Sequence, residues 1–413
     1  MRLSFATSAL ASCLFASLAA QTFAADHMLA AQRLAQDAVI VDTHIDSPTE
    51  LLKRWADLGT FQADREFDYA RARSGGLDVA FMSIYTSARQ DENGSAWNVA
   101  NQMIDSIESL ALRHPDKFAL LRSPQDIDRL RAPLKRGGKP RVLLPLGMEN
   151  GAPIGDDLTK LKFFFDRGIR YITLAHSANN RIADSSYAAE KKWNGLSPFG
   201  RDVVAEMNRL GMMIDVSHLS DAAVAQSVAL SRAPVVATHS ALRHFTSGFE
   251  RNLSDELAKA IAAKGGVIQI PFGNAFVDPA SAAQTQVYFR AANELNRRNA
   301  ELTAAGKPLE DFAAFDKHWD ETHPPLKTEI ERVFEQIDYG VKLVGIDHIG
   351  IGSDFDGVSG ALPEGLKTAA DYPNFVAGLQ ARGYSDRDIR KILGDNLLRV
   401  WRKAEDVAAA SSK

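Results

Sequence analysis

The sequence predicts an α/β protein with a TIM-like (β/α)8 barrel. Eight short apolar runs alternate with segments whose apolar residues recur at helical spacing. The runs lie far enough apart for helical crossovers between parallel strands. His, Glu or Asp residues follow most of the runs. Only a closed barrel would bring so many strand ends to one place, whereas the alternative, a doubly wound open sheet, usually carries its ligand at one switch point.

The eight predicted strands are short and rich in β-branched and aliphatic residues. Helices are predicted between them from apolar spacing, as in residues 96–112, where Val99, Met103 and Ile107 share one face. Ser220 and Ser385 are predicted helix N-caps. The predicted strands are 39–41, 77–84, 142–146, 169–174, 212–216, 234–237, 266–271 and 348–352.

One segment breaks this alternation. Residues 274–325 contain two charged segments of helical character and no strand-like run, and the pattern resumes after them. We interpret this segment, called the helical insertion below, as an addition or lid on a single barrel domain that spans residues 25–413.

Composition describes an ordinary globular chain. Of its 413 residues, 45% are hydrophobic and 24% are charged, with a net charge of -4, which predicts a sizeable core. The sequence has no basic stripe and no low-complexity tract, which argues against nucleic-acid binding. Cys13 is the only cysteine. Any metal would therefore be held by His and carboxylate side chains.

The first residues have the layout of a secretory signal peptide. Arg2 precedes an apolar run of small residues, and Ala24 ends a plausible cleavage site, so residues 1–24 are predicted to be removed. Because Cys13 follows Leu-Ala-Ser, a lipoprotein is a minor alternative. An exported chain without disulfides fits a bacterial periplasm, and we expect no transmembrane segment in the mature protein.

Five side chains at predicted strand ends could bind metal. His44 and Asp46 are two residues apart in an extended segment, so they point the same way. Five N and O ligands exceed what one tetrahedral zinc needs, but they suit two metals bridged by one carboxylate. Two such ions would share a hydroxide and polarise a carbonyl, as amide hydrolysis requires. The five candidates are His44, Asp46, Glu149 as the bridge, His218 and His239.

Three further residues have chemical roles in the same interpretation. Asp354 could carry a proton from the bridging water to the leaving amine. His176 could stabilise the oxyanion, and Arg251 could hold a substrate carboxylate. Asp356 competes with Asp354 but lies further from the strand end, and His244 is an additional candidate near the carboxylate pocket.

The motifs around these residues resemble those of the membrane (renal) dipeptidase family, the M19 metallopeptidases, over the mature chain apart from the helical insertion. The resemblance implies a metal-dependent hydrolase barrel with two Zn²⁺ per chain, in which Glu149 joins His44 and Asp46 on one ion and His218 and His239 on the other. It also implies dipeptide hydrolysis, including substrates with a C-terminal D-residue, and a possible homodimer. The motifs are VDTHIDSP, GMENG, YITLAHSANN, DVSHLSD, ATHSALR, RNLSDE and IGIGSDFDGV.

Two other functions remain open. A deaminase or cyclic-amide hydrolase would share the barrel, but those enzymes usually carry His-x-His on the first strand and often a Lys on the fourth. Here the first strand gives His-x-Asp, and residues 169–176 contain no Lys. A non-catalytic binding protein should have lost a ligand or Asp354, and none is missing. Residues 269–273 and the helical insertion differ from the animal members, so the preferred dipeptide stays open.

Overall fold

The computed structural model describes residues 26–134 and 137–411. Ten strands form one sheet in these ranges, and all of their pairings are parallel. The strands are β1 Ile40–Ile45, β2 Leu77–Tyr85, β3 Phe118–Leu120, β4 Val142–Leu144, β5 Leu146–Glu149, β6 Ile169–Thr173, β7 Met213–Asp215, β8 Val236–Ala237, β9 Val267–Ile270 and β10 Ile349–Ile351.

The sheet closes into a barrel between β1 and β10. β1 pairs with β2 on one side, and the other neighbours follow in the order β2, β5, β6, β7, β8, β9, β10. At the seam, the Asp354 amide donates to the His44 carbonyl at 3.0 Å and the Asp46 amide donates to the Phe355 carbonyl at 2.8 Å. The predicted (β/α)8 barrel is confirmed, and backbone hydrogen bonds at the seam tie the segment at the end of β1 to the loop after β10.

Two features of the sheet differ from the predicted strands. The third predicted strand is interrupted at Pro145, whose carbonyl accepts from the Met82 amide at 2.9 Å, so it forms β4 and β5. Proline has no amide hydrogen to donate to a ladder, which explains the break. β3 was not predicted; it pairs with β4 at the edge of the sheet, outside the barrel proper.

Helices cover the outside of the barrel. Ser220 and Ser385 cap their helices by accepting from the amides of Ala223 and Asp388, as predicted. Three short helices before residue 93 were not predicted. The α-helices are residues 26–37, Ser47–Lys53, Tyr69–Gly75, Ala88–Glu92, Ala96–Arg113, Ile127–Arg131, Thr159–Asp166, Pro198–Leu210, Asp221–Leu230, Asp255–Ala263, Asn274–Val277, Pro279–Ala304, Phe312–Thr322, Glu331–Val344, Tyr372–Ala381, Asp386–Arg390 and Asn396–Ser411, with a π-helical turn at Lys391–Asp395.

The barrel interior is filled with side chains beneath the strand ends. Trp401, from the last helix, is fully buried, and its ring centroid lies 5.2 Å from that of Phe81. Phe81 in turn lies 5.5 Å from Tyr171 of β6. This aromatic stack fixes Tyr171 from below, and Tyr171 reaches the polar side chains at the top of the barrel.

The helical insertion lies over the carboxyl ends of the strands. It contains three helices, of which Pro279–Ala304 is the longest. Phe289 of that helix stacks on Tyr187 of the loop after β6, with ring centroids 3.8 Å apart. The Asn293 amide also donates to the Tyr187 carbonyl at 3.0 Å. The insertion is thus anchored to a loop on the far side of the barrel mouth.

None of the helices in residues 26–134 and 137–411 is long and apolar enough to cross a membrane. The predicted signal peptide, residues 1–24, and the candidate lipidation site Cys13 lie outside the described residues. Export, lipidation and the homodimer stay predictions.

Candidate metal centre

The candidate metal ligands all lie at the carboxyl ends of barrel strands. His44 is the fifth residue of β1 and Glu149 is the last residue of β5. His218 follows β7, and His239 follows β8 by two residues. His44, Glu149, His218 and His239 are each no more than 5% exposed, and Asp46 is 7% exposed. In a parallel barrel this end is where functional side chains gather.

The Glu149 carboxylate lies at the centre of the cluster. Its Oε1 is 3.0 Å from His218 Nε2 and 3.2 Å from His239 Nε2. Its Oε2 is 3.4 Å from His44 Nε2, which is also 3.3 Å from Asp46 Oδ2. One oxygen therefore faces each group of ligands, which is the arrangement that a bridging carboxylate needs.

Three overlapping sets of side chains have ligand atoms within 4.8 Å of one another. Glu149 belongs to two of these sets, and His44 also belongs to two. The residues predicted to be catalytic, His176 and Asp354, each appear in one set, so their distances alone do not separate them from the ligands. The sets are His44, Glu149 and His239; Glu149, His176 and His218; and His44, Asp46 and Asp354.

The orientation of His44 is fixed by a buried hydrogen-bond chain. The Tyr171 hydroxyl donates to the Thr43 carbonyl at 3.0 Å, so it can accept from His44 Nδ1, which lies 2.9 Å away. Burial would lower the pKa of His44, but Tyr171 and the Glu149 and Asp46 carboxylates raise it well above its usual range. When a metal ion displaces the proton on Nε2, the remaining ring proton sits on Nδ1 and the electron pair of Nε2 faces Glu149. A hydrogen bond of this kind, made by the ring nitrogen that does not bind the metal, typically orients a metal-binding imidazole.

His239 is oriented in the same way by a different chain. The Thr238 hydroxyl donates to Asp215 Oδ2 at 2.6 Å and lies 2.9 Å from His239 Nδ1, so it accepts from that nitrogen. Asp215 Oδ2 also accepts from the Thr173 hydroxyl at 2.5 Å. The Nε2 electron pair of His239 is therefore free to bind a cation.

The histidine nitrogens are positioned to bind a divalent ion, whereas their contacts with one another are unfavourable. Nε2 of His218 and Nε2 of His239 are only 2.8 Å apart. Burial lowers the pKa of both imidazoles well below the usual range, so both rings are neutral near pH 7. Buried His44 Nε2 and His218 Nδ1 also lack a hydrogen-bond partner among the described residues. Neutral imidazole nitrogens that converge on carboxylates are suitable ligands for zinc and similar ions.

The pKa values of two carboxyl groups in the centre, Glu149 and Asp354, are shifted in opposite directions. Burial would raise the pKa of Glu149, but His44 and the other histidines around it lower that pKa well below its usual range. Burial raises the pKa of Asp354 well above its usual range, and the adjacent Asp46 carboxylate raises it further. Glu149 is thus ionised, whereas Asp354 is suited to hold a proton.

Two of these positions need an unusual backbone. His218 and Asp354 have φ values of 66° and 66°, in the left-handed region that most residues avoid. Each lies three residues after the end of a strand, β7 or β10, where the chain turns sharply. Such positions cost free energy and are typical of functional sites.

His176 lies at the edge of the cluster and is more exposed than the ligands. Its Nε2 is 3.5 Å from Glu149 Oε1, and its side chain is 20% exposed. Burial lowers its pKa, so the ring is neutral. Its ring packs 4.1 Å from His218 and 4.7 Å from Tyr85. His176 can therefore present a nitrogen to a ligand at the mouth.

Arg251 is a buried cation beside the same cluster. Its guanidinium donates to Ser240 Oγ at 2.8 Å and to the His239 carbonyl at 2.7 Å, and one of its nitrogens is 3.1 Å from His218 Nε2. It is 2% exposed and has no carboxylate partner among the described residues, and its Nε has no hydrogen-bond partner there. A buried and unpaired guanidinium is well suited to bind an anionic group.

The two open candidates, His244 and Asp356, are engaged elsewhere. His244 stacks on Tyr339 with ring centroids 4.1 Å apart, on the outside of the loop. Asp356 accepts from the Glu66 amide at 2.8 Å and from the Ser47 hydroxyl. These two hydrogen bonds tie the loop after β10 to the segments that carry Ser47 and Glu66.

Sequence reasoning missed the residues that hold the ligands. Tyr171, Thr238 and Asp215 lie in or next to apolar strands, and no role was predicted for them. Asp42 was missed as well: it is fully buried in β1 and accepts from the His44 amide at 3.1 Å and the Tyr372 hydroxyl at 2.6 Å. The available signal was a charged residue, Asp42 or Asp215, inside a strand two or three residues before a ligand.

A model of the membrane dipeptidase family, peptidase family M19, matches residues 28–413. The chain belongs to this family. It is therefore a member of a metallopeptidase family of dipeptidases, which agrees with the ligand cluster described above. The resemblance seen in the sequence motifs is confirmed.

Individual relatives agree with the family. Dipeptidase tcpJ of Claviceps purpurea (strain 20.1) is 29% identical over 367 residues, which are 85% of this chain and 74% of that protein. The crystal structure of the probable dipeptidase PvdM from Pseudomonas aeruginosa has a TM-score of 0.76 and 28% identity, covering 93% of this chain and 99% of that chain. A metallopeptidase from Rhodobacter sphaeroides, liganded with a phosphinate mimic of L-Ala-D-Ala, shares the fold at 23% identity and a TM-score of 0.70, covering 89% and 99% of the two chains.

Proposed function

We propose that this member of the membrane dipeptidase family is a binuclear zinc dipeptidase. In this proposal His44, Asp46 and Glu149 hold one Zn²⁺, and Glu149, His218 and His239 hold the other. The observation that carries it is the position of Glu149, whose two oxygens each face a separate group of buried ligand atoms. The substrates are dipeptides, including those with a C-terminal D-residue.

The donor set supports zinc. It consists of imidazole nitrogens and carboxylate oxygens without a thiolate, and the tyrosine and threonine behind His44 and His239 turn Nε2 of both rings toward the centre. When bound, the two ions would supply an activated water nucleophile and polarise the scissile carbonyl.

Asp354 is proposed as the proton carrier. Its raised pKa, caused by burial and by the Asp46 carboxylate, allows it to take a proton from the attacking water and to return it to the leaving amine. Asp354 also lies within ligand distance of His44 and Asp46, so an experiment has to distinguish proton transfer from metal binding.

His176 and Arg251 are proposed to bind the substrate. A neutral His176 can donate a hydrogen bond to the oxygen that becomes negative when the carbonyl is attacked. Arg251, buried and without a carboxylate partner, would pair with the free C-terminal carboxylate of a dipeptide. That pairing would select short substrates, because in a longer peptide the same position is an uncharged amide.

The test is zinc content measured together with hydrolysis of L-Ala-L-Ala and L-Ala-D-Ala, for the wild type and for Glu149→Gln. We expect about two zinc per wild-type chain, turnover of at least one stereoisomer, and loss of both zinc and activity in the variant. Glu108→Gln, on an outer helix where Glu108 pairs with Arg167, is the matched control and should leave both unchanged.

Other outcomes would contradict the proposal in distinguishable ways. One tightly bound metal with no dipeptide turnover would favour another amidohydrolase activity, and a panel of cyclic amides and aminated bases would then be assayed. Two zinc ions without turnover of any L,L or L,D dipeptide would leave a metal-binding barrel without the proposed activity.

A further inference from the structure

Two buried aspartates tie together the strand ends that carry the candidate ligands. The first, Asp42, lies in β1 and is fully buried. Its Oδ1 accepts from the amide of His44, two residues later, at 3.1 Å, and from the amide of Ser353 in the loop after β10 at 2.8 Å. Its Oδ2 accepts from the Tyr372 hydroxyl at 2.6 Å. We call this arrangement the Asp42 clamp; it joins the end of β1 to the residue before Asp354.

The second aspartate, Asp215, makes the same backbone bonds between a different pair of strands. It is the last residue of β7 and is also fully buried. Its Oδ1 accepts from the amide of Ser217, again two residues later, at 3.0 Å, and from the amide of Thr238 after β8 at 2.9 Å. β7 and β8 are neighbours in the sheet. This Asp215 clamp therefore joins the residue before His218 to the residue before His239.

Each clamp holds a different half of the proposed metal centre. The Asp42 clamp holds the end of β1, which carries one group of ligands, and the Asp215 clamp holds the loops after β7 and β8, which carry the other. Within the Asp215 clamp, Ser217 Oγ also accepts from the His239 amide at 3.2 Å. Neither aspartate side chain bonds to a segment of the other clamp within the described part of the chain. A change in one aspartate should therefore displace the ligands of one ion first.

The two clamps differ in what the second carboxylate oxygen contacts. Asp215 Oδ2 accepts from the Thr238 hydroxyl at 2.6 Å, and that hydroxyl accepts in turn from His239 Nδ1 at 2.9 Å. Asp42 Oδ2 accepts from the Tyr372 hydroxyl, which bonds to no histidine among residues 26–134 and 137–411. Asp215 thus influences both the backbone position of His239 and the proton on its ring, whereas Asp42 acts on backbone position alone.

An amide in place of the Asp215 carboxylate would reverse this chain of hydrogen bonds. The two backbone amides at Oδ1 need an acceptor, so the side-chain oxygen of Asp215→Asn would stay there and its NH₂ group would face the hydroxyls of Thr238 and Thr173. The Thr238 hydroxyl would then accept from this NH₂ group and donate to His239 Nδ1. The proton of the neutral ring would move to Nε2, which faces Glu149 and could then bind no cation.

We propose that the two metal sites are controlled separately, one by the Asp215 clamp and the other by the Asp42 clamp. Asp215 is the positioning residue of the site that Glu149 forms with the histidines after β7 and β8, called the histidine site below, and it fixes the ring proton of His239. Asp42 is the positioning residue of the site at the end of β1, called the β1 site. This inference rests on the proposed binuclear function and assigns to each ion the buried aspartate that sets its affinity.

The test compares Asp215→Asn with Asp42→Asn. Both variants change the same group at a fully buried position, so each controls for the other. Competition with a chelator measures the zinc affinity of each binding step, and zinc-edge anomalous scattering from crystals at limiting zinc shows which site is empty. We expect the affinity of the histidine site to fall about 10- to 100-fold in Asp215→Asn, with the β1 site still filled. Asp42→Asn should empty the β1 site first.

A second measurement needs neither metal nor substrate. Long-range ¹H–¹⁵N NMR spectra of the metal-free protein, labelled at histidine, report which ring nitrogen carries the proton. We expect His239, assigned from the spectrum of His239→Gln, to carry its proton on Nδ1 in the wild type and in Asp42→Asn. In Asp215→Asn the proton should be on Nε2. A merely structural role of Asp215 would not move this proton.

Two milder variants test the same chain of hydrogen bonds without changing the aspartate. Thr238→Val removes only the hydroxyl between Asp215 and His239, so the affinity of the histidine site for zinc should fall. Thr173→Val removes the other hydroxyl that donates to Asp215 Oδ2, which has no contact with the ring, and should leave that affinity unchanged. This pair decides the question if Asp215→Asn does not fold.

Three results would overturn the inference: equal loss of both ions in Asp215→Asn and Asp42→Asn, an unchanged ring proton of His239 in Asp215→Asn, or equal weakening of zinc binding in Thr238→Val and Thr173→Val. Failure of the proposed function looks different. Two zinc ions in a wild type that hydrolyses no dipeptide would remove the peptidase activity and leave the two clamps standing. Fewer than two zinc ions in the wild type would overturn the binuclear proposal and the separate control of two sites together.

Discussion

The phenol oxygen of Tyr171 lies 2.9 Å from Nδ1 of His44 and donates its own proton to the Thr43 carbonyl. Because its proton is used in that bond, the hydroxyl can act toward His44 Nδ1 only as an acceptor, which fixes a ring proton on that nitrogen. Tyr171 is fully buried, and burial raises its pKa further from neutrality, so it stays a neutral phenol. A core tyrosine thus sets the tautomer of a proposed metal ligand three strands away in the closed sheet.

Tyr171→Phe should weaken metal binding without unfolding the barrel. The ring still packs on Phe81, but His44 loses the acceptor that orients it. We expect zinc affinity to fall about 10- to 100-fold, the usual effect of removing such a partner. Competition with a chromogenic chelator measures the affinity, and circular dichroism checks the fold.

The control for this variant is Tyr384→Phe. It removes a phenol hydrogen bond to Asp338, 2.9 Å long, far from the centre. An equal loss of zinc affinity in both variants would mean that the effect is general destabilisation, and that the tautomer argument is wrong.

Asp354→Asn should abolish most turnover while leaving the zinc content intact. An amide cannot carry the proton, and general acid and base groups typically contribute about 10²- to 10⁴-fold to the rate. The fall should be in kcat, with KM little changed, because Asp354 is not proposed to bind the ground state. Metal analysis of the purified variant is essential, because Asp354 lies within ligand distance of His44 and Asp46.

Asp356→Asn tests which of the two neighbouring carboxylates of the β10 loop, Asp354 or Asp356, carries the proton. Asp356 is bonded to Ser47 and to the Glu66 amide, so its loss should lower thermal stability more than kcat. If Asp356→Asn abolishes turnover and Asp354→Asn does not, the proton carrier has been assigned to the wrong residue. If Asp354→Asn loses zinc, Asp354 is a ligand.

The sequence was sufficient to predict the barrel and the group of polar residues at its mouth. Strand periodicity places His44 and Asp46 on one side of β1, and parallel topology brings the ends of different strands together. The structure brings the five predicted ligands into one buried cluster, while their roles remain predictions.

What the sequence could not supply is long-range partnership. Tyr171 looks like a core aromatic in an apolar strand, and only the closed sheet shows that its hydroxyl meets His44, 127 residues away in the chain. The short helices after β1 begin with turn-like sequences, as in Ser47-Pro48, and are stabilised by packing more than by their own pattern. The 540 Å³ cavity between the helical insertion and the loop after β10 likewise depends on how the insertion folds back onto that loop.

The carboxyl pair Glu66 and Asp356 should make stability depend on pH. Burial, with a contribution from the Asp356 charge, raises the pKa of Glu66 to about 7, from an ordinary value of 4.5. Between these values the folded protein binds more protons than the unfolded chain, so stability is present below pH 4.5 and is lost as the pH rises through 7. Glu66→Gln should remove this loss, because its side-chain oxygen can still accept from the Asp356 amide.

Thermal unfolding of the wild type and Glu66→Gln at pH 5 and pH 8 measures the effect. The decline in Tm between the two pH values should be smaller in the variant by about 1 to 2 °C. Glu331→Gln, at an exposed helix start, controls for the loss of one negative charge. Parallel Tm profiles for the wild type and Glu66→Gln would show that Glu66 does not hold its proton in the folded state.

Arg251→Met should remove the selectivity for substrates with a free carboxylate. Arg251 is 2% exposed, has no carboxylate partner among the described residues and sits beside His218. In the wild type, Ala-Ala should be hydrolysed much faster than Ala-alaninamide, because only the former can pair with the guanidinium. The variant should lose about 10- to 100-fold in kcat/KM for Ala-Ala, mainly through KM, the usual worth of a charge-assisted hydrogen bond. Turnover of the amide should change little.

The ratio of the two substrates, and not the rate on either, is the decisive quantity, because a general loss of structure or metal would lower both rates together. Arg243→Lys, in the same loop but already paired with Asp221, is the matched control and should keep the wild-type ratio. A variant Arg251→Met that still prefers Ala-Ala over its amide by the wild-type factor would mean that the carboxylate binds elsewhere. The assignment of Arg251 to the C-terminal carboxylate would then be wrong.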